Sequence, residues 1–316
     1  MSELHRFPPA TAFGSRILFA GMLVAVFGGL AWADWVRLGG TAPSWWLLPL
    51  AAALAVGGID ELVALFAGRG VDLPGWVLRP AVVATVLSAA LAGGGVPGAV
   101  ARATAGTAAP WPAAAVALTV VALGGVEIAR YRTADGPLER LCAGTFCVAF
   151  VGLPLAFMVS LRLLHAGLPA TRETGGGDVG VLPLVSLVAV VKAGDIAAYA
   201  VGSLIGRHRL APVLSPGKTW EGAAASLVGA VVAAWFVLGR CQAAGLAGPW
   251  GGWLVYGTAV GLAGMAGDLA ESLVKRACHA KDSGRSLGGL GGVLDLVDSL
   301  LFAAPVAWLL WVAGGR

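Results

Sequence analysis

Residues 266–301 read AGDLAESLVKRACHAKDSGRSLGGLGGVLDLVDSLL, a run in which acids, cations and glycines interrupt apolar sequence. Asp268, Ser272 and Lys275 stand at helical spacing, so a carboxylate, a hydroxyl and an ammonium share one helix face. Asp295 and Asp298, three residues apart, share a face at the start of the next apolar helix. Two helices that each present carboxylates toward a loop rich in cations and glycine make a candidate site for a divalent metal and phosphate. Carboxylates without histidine favour a hard ion such as Mg²⁺. A plainer arrangement has Asp298 as the N-cap of the last helix and Asp268 paired with Lys275, which leaves Asp295 unexplained.

Two further groups of polar residues lie upstream. In VVKAGDIAAYAVG, Lys192 and Asp195 fall at i, i+3 on one face of an apolar segment. An ionisable residue there costs about 2.5–3.5 kcal/mol on insertion scales, so it faces a cavity or a partner, or the two pair only with each other. The stretch GRHRLAPVLSPGKTWEG, residues 206–222, has Ser-Pro-Gly as a turn with cations on either side. SPGKT is not a P-loop, because GxxxxGK[ST] needs glycine where Pro212 stands. A tight turn exposing backbone N–H groups beside Lys218 and Thr219 still suits phosphate oxygens. The alternative is a basic loop that touches anionic lipid headgroups.

The elements that position these groups are membrane helices. Of 316 residues 58% are hydrophobic and 12% charged, about half the charge of a soluble domain, which identifies an all-α, polytopic integral membrane protein. Apolar runs long enough to span a bilayer are expected nine times, at 17–33, 44–66, 80–97, 111–129, 142–161, 181–205, 223–239, 250–270 and 293–313. LAWAD, residues 30–34, resembles a signal-peptide cleavage site, but the long apolar run before it favours a retained first helix. Tryptophan joins Pro and Gly turn signals in TAPSWW, DLPGW, GTAAPWP and LAGPWGGW, as at a headgroup interface. The 48 glycines suit close helix packing in lipid. Four scattered cysteines indicate neither disulfides nor a metal site.

Nine spans place the termini on opposite sides. The connecting segments then divide fourteen lysines and arginines on the N-terminal side from six on the other, the six including Arg162. This predicts a cytoplasmic N-terminus and cytoplasmic loops at 206–222 and 275–292, with the C-terminus across the membrane. N-terminal helices over 1–140, about four spans, precede a catalytic region over 141–316, about five spans.

SLVKRACHAKDSG followed by GGVLDLVDSL resembles the signature of the phosphatidate cytidylyltransferases, S-x-x-K-R-x4-K-D-x-G and then H-G-G-x-x-D-R-x-D. GDIAAYAVGSLIGRHRLAPVLSPGKTWEG resembles a second block of that family, and together they cover about 100 residues of the C-terminal half. Asp60 and Glu61 resemble an acidic end to the second span of relatives. The chain departs from the pattern at Leu290, where the family has histidine, and at Leu296, where it has arginine. Arg285, in the same loop, is a candidate replacement.

The resemblance implies condensation of CTP with phosphatidate to CDP-diacylglycerol and pyrophosphate, for phospholipid synthesis at the inner face of the cytoplasmic membrane. By position Asp268, Asp295 and Asp298 match Mg²⁺ ligands, and a second, monovalent cation such as K⁺ is implied. Lys218, Lys275, Arg276 and Lys281 would hold phosphates, and Asp282 would orient a cation or add to the metal shell. Asp195, Ser215, Thr219, Ser272, Arg285, Gly291 and Gly292 would complete the substrate contacts. The implied partners are CTP, phosphatidate, the bilayer and a second copy in a homodimer, with no nucleic acid. The competing readings are a CTP-dependent polyprenol or phytol kinase, an inactive relative, and a transporter using Lys192, Asp195 and Asp268 as an ion path.

Overall fold

Our computed structural model describes residues 22, 25–36, 46–92, 111–131, 136–164, 180–243, 248–284 and 291–314. Among them are nine helices, in the order and near the places where the apolar runs predict them. Helix α1 covers 25–35; the earlier part of the first expected span lies outside the described residues, as do several of the cations used for topology. The others are α2 (Leu48–Ala67), α3 (Gly75–Ala92), α4 (Trp111–Arg130), α5 (Pro137–Leu163), α6 (Val181–Ile205), α7 (Trp220–Ala243), α8 (Gly252–Ala277) and α9 (Val293–Gly314). The protein is an all-α membrane protein: α2, α4, α5, α6, α7 and α9 are each long and apolar enough to cross a bilayer. Helix α3 offers a shorter apolar length, and the last turns of α8 carry Asp268, Glu271, Lys275 and Arg276.

The helix ends explain most boundary shifts. Gly136, at φ 75°, precedes α5 and Pro137 opens it, where a missing N–H costs no hydrogen bond. Helix α3 begins before Pro80, because a proline in the second turn removes only one hydrogen bond. Helix α8 continues through Lys275 and Arg276, cations that suit the negative end of a helix dipole. Trp76, Trp220 and Trp250 are exposed at or just before helix starts, as an interfacial anchor requires.

Two apolar cores organise the helices. Ile59 and Leu62 of α2, Leu78 and Val82 of α3, Leu123 of α4 and Val148 and Leu155 of α5 form the first, together with Leu294, Val297 and Leu301 of α9. The second joins Leu187 and Val190 of α6, Ala230 and Ala234 of α7, Tyr256 and Val260 of α8, and Ala303, Ala304 and Trp311 of α9. Helices α5 and α9 contribute to both. Arg162 is not a loop cation: it lies buried in the last turn of α5, where its Nε donates to Oδ2 of the equally buried Asp34 on α1.

Small residues bring α8 against its neighbours. A Cβ at Gly257 would stand 2.8 Å from Val231 Cα, and one at Gly261 the same distance from Ala230 Cβ, so this GxxxG spacing seats α8 on α7. Gly267 does the same toward α9, where a Cβ would lie 3.0 Å from Phe302 Cβ and 3.2 Å from Ser299 Cα. The polar stretch after α6 is a hairpin of β1 (Arg209–Ala211) and β2 (Ser215–Thr219), paired antiparallel with Arg209 opposite Thr219. SPGKT is therefore strand, and the turn falls at 212–214. Pro216 is tolerated because both strands of a two-stranded ribbon are edges.

Candidate functional site

A cavity of about 950 Å³ lies between α6, the hairpin, α7, α8 and α9. Helix α6 contributes Lys192 and Asp195, the hairpin Arg209, Lys218 and Thr219, α8 Asp268, Glu271 and Lys275, and α9 Asp295 and Asp298. Helical spacing acts as expected for Lys192 with Asp195, Asp268 with Lys275 and Asp295 with Asp298, whereas Glu271 lines the cavity in the place expected of Ser272. The close α8–α9 approach at Gly267 brings two such faces together.

Asp268, Glu271 and Asp298 form the tightest acidic group, each offering one oxygen within 4.8 Å of the others. Glu271 is 1% exposed, and its Oε1 has no hydrogen-bond partner among the described residues. Three carboxylates this close, one with a buried orphan oxygen and none joined by histidine or cysteine, fit a hard, oxygen-seeking cation. Protein cations already face part of that charge. Lys218 Nζ lies 2.8 Å from Asp268 Oδ2, and Lys275 Nζ 2.6 Å from Glu271 Oε2.

Asp295 occupies a different position in the site. Its Oδ1 accepts from Lys275 Nζ at 2.7 Å, and its Oδ2 accepts from the Gly292 N–H at 2.7 Å and from Ser283 Oγ at 2.9 Å. Asp295 thus reaches back over the first turn of α9, the reciprocal arm of a capping box. It is Asp295, not Asp298, that caps this helix, and Asp268 pairs with Lys218, not with Lys275. Glu271, which stands with Asp268 and Asp298 instead, is three residues after Asp268. The i, i+3 rule applied to Asp295 and Asp298 was enough to find it.

The start of α9 has a second support that sequence spacing does not reveal. Glu61, buried in α2, accepts from the Val293 N–H at 2.7 Å and from the Leu294 N–H at 2.8 Å, and Ser283 Oγ donates to it at 3.2 Å. A carboxylate on those amides compensates the positive end of the α9 dipole. Asp60 points elsewhere, to Arg79 Nε at 2.7 Å. The acidic pair lies inside α2, not at its end.

Of the other expected residues, Thr219 is buried, and its Oγ1 accepts from the Gly222 N–H at 3.1 Å, capping α7. Lys192 Nζ meets Asp195 Oδ2 and the Leu296 carbonyl, each at 3.1 Å. The pair is half-exposed to the cavity. Arg276, Lys281, Asp282, Ser215, Ser272, Gly291 and Gly292 do not line the cavity. Arg276 Nε donates to the Leu214 carbonyl at 3.3 Å, tying the hairpin tip to the end of α8. Gly291 adopts φ 93°, which glycine permits, where the chain enters α9. Arg285 and Leu290 lie outside the described residues.

A model of the cytidylyltransferase family matches residues 14–313. A phosphatidate cytidylyltransferase of Brucella suis is 44% identical over 152 residues, covering 46% of this chain and 54% of that protein. One from Mycobacterium bovis is 38% identical over 159 residues, 49% of this chain and 48% of that protein. The aligned region spans about half the length of these relatives.

Proposed function

The chain belongs to the cytidylyltransferase family, and from that premise we propose that it transfers the cytidylyl group of CTP to phosphatidate, giving CDP-diacylglycerol and pyrophosphate. The observation that carries this reading is one cavity in which three clustered carboxylates face Lys192, Lys218 and Lys275. A phosphate oxygen of the lipid attacks the α-phosphorus of CTP; the new P–O bond forms as the bond to the β-phosphate bridging oxygen breaks, and pyrophosphate leaves. No covalent enzyme intermediate is needed. The protein must bring two anions into line against their repulsion.

Asp268, Glu271 and Asp298 would hold Mg²⁺, which supplies charge neutralisation on phosphate oxygens when bound. Asp295 would act beside them, fixing Lys275 and the turn into α9. Lys218 and Lys275, now bound to carboxylates, are the ammonium groups placed to meet phosphate once those acids are otherwise neutralised. Arg276, Lys281 and Asp282 would serve from outside the cavity, Arg276 through its hold on the hairpin. A monovalent cation and a homodimer remain part of the proposal on resemblance alone. The site would face the cytoplasm, where a water-soluble triphosphate can reach headgroup depth.

The test is incubation of the purified full chain with phosphatidate, Mg²⁺ and CTP labelled at either the α- or the γ-phosphorus. Label from the α-position in lipid is the expected result. Label from the γ-position would establish a lipid kinase, and no transfer of either would leave a transporter or an inactive relative.

A further inference from the structure

Five carboxylates and four cations line the cavity, so its wall carries no surplus of positive charge for a polyphosphate. Three of the cations are committed: Lys192 to Asp195, Lys218 to Asp268, and Lys275 to Glu271 and Asp295. The fourth is Arg209, which forms no ion pair among the described residues. Its one side-chain hydrogen bond there runs from Nη1 to the Pro216 carbonyl at 2.6 Å. That bond crosses the hairpin, and strand pairing sets Arg209 opposite Thr219, next to Lys218. The guanidinium is thus anchored at one nitrogen and keeps donors for a second partner, and anchoring lowers the entropy lost when that partner binds.

We propose that Arg209 binds the terminal phosphates of the nucleoside triphosphate and retains contact with the pyrophosphate product. This deepens the reading of the site as a cytidylyltransferase centre and rests on it. The ligand chemistry is a polyphosphate whose paired oxygens match a planar fork of N–H donors. A phosphate monoester on a lipid shares part of that chemistry, so the test separates the two sources.

Full-length wild type, Arg209→Gln, Arg209→Lys and Arg207→Gln are compared in detergent. Arg207 is exposed, next to the same hairpin, and does not line the cavity, so it controls for a general loss of charge. Two measurements are made: binding of inorganic pyrophosphate with Mg²⁺ by titration calorimetry, and the KM for CTP and for phosphatidate. Arg209→Gln is expected to weaken pyrophosphate binding and raise the CTP KM by about tenfold or more, a charge-assisted hydrogen bond's worth. Arg209→Lys is expected between it and wild type, with the phosphatidate KM unchanged in both, and Arg207→Gln should match wild type. Pyrophosphate binding equal to wild type in both Arg209 variants would overturn the proposal. So would a change in the phosphatidate KM alone, or an equal loss in Arg207→Gln. Wild type that transfers no label and binds no pyrophosphate would instead remove the cytidylyltransferase reading, a result distinct from these.

Discussion

Glu271 and Asp295 differ by what already holds them. Glu271 has one oxygen on Lys275 and one buried oxygen with no hydrogen bond among the described residues, whereas both Asp295 oxygens are taken by protein donors. Replacing each by its amide should therefore separate ion binding from positioning. Glu271→Gln is expected to raise the Mg²⁺ concentration for half-maximal CDP-lipid formation by about 10–100-fold. Asp295→Asn should leave that concentration within about threefold while lowering turnover, because Lys275 loses a charged acceptor. A Mg²⁺ titration of both variants decides it: an equal shift in the two would place Asp295 in the ion shell beside Glu271.

At the scale of elements, two contacts fix where α9 begins and how close it lies to α8. Glu61 holds the Val293 and Leu294 amides, so Glu61→Gln should cost about 1–3 kcal/mol, since one of two buried acceptors becomes a donor facing a donor. The expected signs are a lower thermal unfolding midpoint in detergent and faster hydrogen exchange over 291–296; unchanged exchange there would refute the capping role. Gly267→Ala forces a methyl against Phe302 and Ser299, an overpacking worth about 1–3 kcal/mol. Because the neighbouring Asp268 faces Asp298 across this contact, the variant should need more Mg²⁺ for half-maximal CDP-lipid formation as well as lose stability. A fully active Gly267→Ala would mean that α8 and α9 can separate without disturbing the carboxylates.

For the whole molecule, the distribution of cations predicts that the hairpin faces the cytoplasm. Val213, 94% exposed at the turn, is a suitable reporter. Val213→Cys, made without Cys142 and Cys241, should react with an impermeant maleimide in inside-out vesicles and not in intact cells. Labelling from the outside would invert the orientation and move the CTP site to the wrong compartment.

The sequence determined the parts whose signals are local. Apolar runs gave the order and approximate places of the helices among the described residues, because burial of a span in lipid is a property of about 20 consecutive residues. Helical spacing placed Asp268 with Lys275 and Asp295 with Asp298 on common faces, because that spacing follows from 3.6 residues per turn. Only the tertiary structure decided which faces meet. Glu61 reaches residues more than 230 positions away, Lys218 takes Asp268 from the partner nearer in sequence, and Glu271 displaces Asp295 from the acidic group. Each outcome depends on the distance between packed helices, which Gly257, Gly261 and Gly267 set across interfaces that no local spacing encodes.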